Sequence, residues 1–145
     1  MKSTLIRTSV TILGTIGLLA APAVAHAFPP LPLAPQCAGI WGFDGESTIF
    51  EPDTGWSVTF FSNGRLATGD ATASNNRGES KTGSVRGGIT EDNRRYNVSV
   101  DYDNGQYQLY SGRVGPDGVA TGATNNGITL ESGKRFTSRL VCLPA

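Results

Sequence analysis

The run from Arg95 to Tyr102 alternates strictly between apolar or aromatic side chains and polar ones. Tyr96, Val98, Val100 and Tyr102 fall on one face, with Arg95, Asn97, Ser99 and Asp101 on the other. That is the period of two expected of a half-buried β-strand. Trp56, Val58 and Phe60 repeat the pattern until Phe61 breaks it. Beyond residue 27, no segment keeps helical spacing over two or more turns.

Turn signals separate the alternating runs at Asp44-Gly45, Pro52-Asp53-Thr54-Gly55, Asn63-Gly64, Asp103-Asn104-Gly105, Pro116-Asp117-Gly118 and Asn125-Asn126-Gly127. Asn-Gly and Asp-Gly supply the positive φ angles of tight hairpins. No proline falls inside a candidate strand, as a paired sheet requires. The rhythm predicts strands near 38–43, 47–51, 55–61, 65–73, 83–90, 94–102, 106–114, 118–124 and 128–141, the last bent at Gly133. A long polar loop is expected from Ser74 to Thr82. The alternation does not fix which side chains point inward through 65–73 or 106–114, because both faces are mixed there.

The first 27 residues read as an address. Lys2 and Arg7 precede an apolar stretch, Pro22 breaks it, and Ala25-His26-Ala27 fits a cleavage site. The apolar run is too short to span a bilayer. Residues 28–36 (FPPLPLAPQ) hold four prolines and predict an extended arm without a core of its own. Residues 37–145 then form a single domain.

Cys37 and Cys142 are the only cysteines, and in an exported chain they predict one disulfide. Such a bond brings together the start of the first strand and the end of the last. An up-and-down barrel makes those strands neighbours. An immunoglobulin-type sandwich would instead bridge two internal strands around a tryptophan, and Trp41 lies too close to Cys37 for that. The expected fold is therefore an all-β, antiparallel up-and-down barrel of about eight strands. The polar face of 95–101 argues against a lipid-facing barrel, so no stable membrane insertion is expected.

Charge and chemistry narrow the function. Without Lys2 and Arg7, ten basic residues face twelve acidic ones, a net charge of −2. No basic field remains to attract nucleic acid. The one histidine, His26, belongs to the signal, so histidine-based catalysis and metal ligation are not expected. Asp101 and Asp103 flank Tyr102, but Asp103 belongs to a turn, as do Glu91 and Asp92. Neither catalysis, a metal site nor a cofactor is predicted.

Gly39-Ile40-Trp41 at the start of the first strand resembles the Gly-x-Trp of the lipocalin and avidin barrels. The resemblance implies that Trp41 plugs one end of the barrel under a basic residue of the last strand, Arg139 or Arg135. Trp41…Asp44-Gly45…Ser47-Thr48-Ile49 is similar to the first avidin hairpin, and Ser47 matches a ligand-binding position there. Phe43 stands where a polar biotin contact belongs, and both tryptophans are early, so the resemblance does not extend to biotin. Ser111 to Gly118 also resembles a hairpin of short exported actinobacterial proteins, which implies no activity.

The reading that follows is a secreted or cell-envelope binding protein for a small apolar ligand. Ser47, Trp56, Phe60, Tyr96, Tyr102 and Tyr107 are its candidate contacts. The alternative is an envelope protein-interaction module, or an inhibitor of a secreted hydrolase, acting through the arm and the Ser74–Thr82 loop.

Overall fold

Gly64, positioned by Asn63-Gly64 at a φ of 81°, folds the second strand back on the third. Similar glycine turns at Gly55, Gly78, Gly105 and Gly118 repeat this along the chain. The structure, a computed structural model, describes residues 37–125 and 133–145. The expected signal peptide, the proline-rich arm and the Asn126-Gly127 turn lie outside these residues.

The strands are β1 (Ile40–Glu51), β2 (Trp56–Gly64), β3 (Leu66–Asn75), β4 (Ser80–Ile89), β5 (Arg95–Tyr102), β6 (Tyr107–Val114), β7 (Val119–Asn125), β8 (Arg135–Arg139) and β9 (Val141–Leu143). Each of β1 to β7 pairs antiparallel with the next, and β8 returns to β1. The sheet therefore closes into an eight-stranded barrel. β9 continues β8 past Leu140 and pairs with the start of β1, Trp41 opposite Cys142. Cys37 and Cys142 are bonded, with their Cα atoms 5.4 Å apart. The disulfide thus joins the lead-in to the first strand to the last.

Three sequence expectations change. Asp44-Gly45 does not turn the chain: β1 runs through it, pairing Asp44 with Asn63 and Gly45 with Ser62. The positive φ of Gly45, 85°, is absorbed as a kink in one long strand instead of two short ones. On its other edge β1 spends residues 43–48 between its two ladders, while the partner spends only Arg139 and Leu140. Second, the Ser74–Thr82 loop is a short hairpin turn. Asn75 Oδ1 accepts from the backbone N–H of Arg77 at 3.0 Å and of Glu79 at 3.1 Å, a side-chain mimic of a backbone turn. Third, the last strand breaks at Leu140; Gly133, where a bend was expected, is a turn residue with a φ of 77°, and residues 128–132 of the expected strand lie outside the described residues.

Inside the barrel, the side chains are unequal by wall. Ala67, Ala71 and Ala73 of β3 point inward and are buried, which decides the mixed register of 65–73. Phe43, Phe60, Tyr96, Tyr110 and Phe136 fill the space that these alanines leave. Their rings meet in a chain, with centroids 5.4 Å apart for Phe43–Phe60, Tyr96–Phe136 and Tyr110–Phe136. An eight-stranded barrel is just wide enough for such filling, so its middle is solid. Where β6 crosses β7, Gly112 faces Gly122, and a Cβ on either would run into the backbone of the other strand.

Candidate functional site

The barrel has two unlike ends. At one, loops are stitched to each other. The Trp41 N–H donates to Asn93 Oδ1 (3.1 Å), and Asn93 Nδ2 donates to the Gly39 carbonyl (3.1 Å). Ile89 N–H donates to Arg65 O, Val114 N–H to Arg94 O and Leu140 N–H to Gly118 O, each within 2.9 Å. The Trp41 ring lies over Gly118, whose φ of 76° and missing Cβ make room for it. This end is closed.

The opposite end opens into a cavity of about 430 Å³, formed where the β1–β2, β3–β4 and β5–β6 turns gather. Its floor is Glu51. The inward parity of Ser47 and Ile49 carries on to Glu51, so the turn at Pro52 begins from a side chain already inside the wall. Glu51 is 6% exposed. Its Oε1 accepts from the Tyr110 hydroxyl (2.7 Å) and its Oε2 from Thr54 Oγ1 (2.8 Å). The Tyr102 hydroxyl lies beside Tyr110. Burial pushes the Tyr102 phenol up to about 12. It pushes Tyr110 higher still, reinforced by Tyr102 and the Glu51 carboxylate. Both phenols therefore stay protonated at neutral pH and serve as donors.

Lys81 forms the side of the cavity. Its Nζ sits 4.9 Å from the centre of the Trp56 ring and 5.5 Å from that of Tyr102, a double cation–π clasp. It also donates to Gln106 Oε1 at 2.6 Å. Gln108, on the same inward parity as Tyr110, is only 4% exposed and lines the cavity. Its carboxamide makes no hydrogen bond with the described residues. At the rim, Asp53 is held by Arg135, with Nη2 to Oδ1 at 2.6 Å and Nε to Oδ1 at 3.0 Å. Hydrogen bonding from the Arg135 side chain and backbone holds the Asp53 carboxyl down at about 2.

The residues singled out from sequence are scattered by this geometry. Trp56 and Tyr102 line the cavity. Phe60 and Tyr96 are core, and Ser47 is a buried wall residue outside the cavity lining. In the core, the Tyr96 hydroxyl and Ser138 Oγ lie near each other without completing a hydrogen bond of normal geometry. Tyr107 has the opposite parity from Gln108 and faces outward near Arg86, so it is no cavity contact. Trp41 does sit at the closed end. Arg139, however, is exposed on the outer parity of β8, and Arg135 is committed to Asp53. Among the described residues the cation–π contacts belong to Lys81 and not to either arginine.

Glu51, Lys81 and Gln108 went unrecognised in the sequence. The parity of 47–49–51 and of 108–110 points to the first and third, whereas Lys81 was hidden in the expected loop. Asp101 pairs with Arg86 on the outer face, and Asp103 accepts from Thr82 Oγ1 at 2.5 Å. Among the described residues no three His, Cys, Asp or Glu side chains converge as a metal site would need. Comparison with known protein families, with characterised proteins and with solved structures finds no match in any of the three.

Proposed function

We propose that this chain is an exported binding protein that takes one small polar molecule into the open end of its barrel. The observation that carries the reading is Gln108. Its carboxamide has no hydrogen-bond partner among the described residues and reaches into a cavity of ligand size. A ligand can take up those hydrogen bonds there in place of water. The sequence suggested an apolar guest, but the walls around Gln108 are Glu51, Lys81, Trp56 and Tyr102, so the guest is polar with an aromatic-facing side. Export is supported by the disulfide, which persists in oxidising compartments.

Binding suits the site better than catalysis. Among the described residues two carboxylates line the cavity: Glu51 is held by its hydroxyl partners and Asp53 by Arg135. The partner-docking alternative would act through the proline-rich arm, which lies outside the described residues, and through a short turn at 76–79 in place of a long loop.

Substituting Gln108→Leu tests the reading. Because the amide faces the open cavity, the change is expected to leave stability within about 1 kcal/mol, seen in urea unfolding. The same change should weaken ligand retention, seen as loss of a co-isolated small mass by native mass spectrometry of protein recovered from culture fluid. A loss of stability with unchanged retention would refute it.

A further inference from the structure

Of the charged residues that line the cavity, Asp53 pairs with Arg135, Arg77 pairs with Glu79, and Lys134 has an interaction of its own, which leaves Glu51 and Lys81 as two opposite charges that do not meet. Glu51 is buried, and its partners among the described residues are the neutral hydroxyls of Tyr110 and Thr54. Lys81 holds its ammonium against two rings and the neutral Gln106 amide, and forms no ion pair among the described residues. Glu51 and Lys81 also form no ion pair with each other, although both line the same space.

A buried charge is ordinarily paired; Glu51 is buried, and Lys81 is half-buried beside it. A carboxylate has about four acceptor positions, and two are filled at Glu51. An ammonium has three donors, and one is used at Lys81. The complement of this arrangement is a molecule carrying both signs, its cationic end on the floor and its anionic end at the side.

We propose that the ligand is a free amino acid, or a zwitterion of that size, with its ammonium on Glu51 and its carboxylate on Lys81. The proposal rests on the binding reading above and specifies its ligand class. A simple organic cation is disfavoured by Lys81 beside its path, and a simple anion by Glu51 at the floor. The Gln108 carboxamide, with both donor and acceptor capacity, is left to meet the ligand's side chain or backbone oxygen. The Trp56 and Tyr102 rings line the same cavity and hold the Lys81 ammonium beside it.

The test is a titration of the disulfide-bonded protein with the twenty free amino acids, following Trp56 fluorescence, with Trp41 at the far end as a constant background. For whichever amino acid responds, the N-acetyl derivative and the C-terminal amide each remove one charge. Each is expected to bind at least about thirtyfold more weakly, as is the parent amino acid to Glu51→Gln. Because the derivatives need no mutation, the result does not depend on how the variant folds. Absence of any responding amino acid, or equal binding of the N-acetyl form, overturns the proposal. A response to glucose or glucuronate instead also overturns it, while leaving the binding cavity in place. The cavity reading itself falls on a different measurement, the absence of any small mass released on denaturing protein isolated from culture fluid.

Discussion

Tyr110 shows how one hydroxyl stabilises a buried charge. Its proton goes to Glu51 at 2.7 Å, inside a wall that excludes most water. Tyr110→Phe leaves that carboxylate with one donor fewer and is expected to destabilise the fold by about 1.5–3 kcal/mol, measured by urea denaturation. The tyrosines also set an alkaline limit. An unfolded tyrosine ionises near 10, whereas Tyr102 is held up to about 12 by burial, and Tyr96 and Tyr110 shift in the same direction for the same first reason. The folded state therefore keeps protons that the unfolded state gives up. Their stabilising effect is complete below about pH 10 and falls as pH rises towards 12. Phenolate absorbance from Tyr96, Tyr102 and Tyr110 is expected to appear together with unfolding and not before it.

At this scale the sequence was partly legible. Trp56 and Tyr102 stood out as aromatics on alternating strands. Tyr107 did not reveal its outward face, because one residue of register separates it from Gln108 and every side chain flips with such a step. Glu51 went unread because a charged residue beside a proline-led turn ordinarily marks the surface.

Among the elements, β6 and β7 depend on absent side chains. Gly112 and Gly122 sit opposite each other, where a Cβ would meet the backbone of the neighbouring strand. Gly122→Val is expected to cost about 1–3 kcal/mol by forcing the strands apart, with hydrogen exchange accelerating first in β6 and β7. β1 makes a complementary point about turn signals. Asp-Gly permits a positive φ but does not dictate what the chain does with it. At Asn63-Gly64 the angle closes a hairpin; at Asp44-Gly45 it kinks a strand that β2 already pairs on one edge. Long-range pairing decides between the two outcomes, and local residue preferences do not contain it. For the same reason the polar stretch 74–82 looked like a loop while serving largely as strand.

For the molecule as a whole, closure follows from the cysteines. Their positions before the first strand and in the last one made a barrel the economical fold, and the pairing of β8 and β9 with β1 agrees. In the chain-entropy model a loop of this size contributes roughly 4–5 kcal/mol as an upper guide. Reduction, or Cys37→Ser, is expected to lower the urea midpoint by a large part of that amount. The cavity lies at the far end, so ligand affinity should stay unchanged in whatever fraction remains folded. The filled middle of the barrel was harder to foresee. The alanine wall of β3 suggested a void, and only the closed sheet brings five rings from other strands against it.

The closed end has a directional consequence. Cys37 is bonded to Cys142, and the chain at Ala145 passes beside Gly39. Cys37, Cys142 and Ala145 thus gather at one pole of the barrel, opposite the mouth of the cavity, so a label attached at Ala145 is expected to leave the mouth unobstructed.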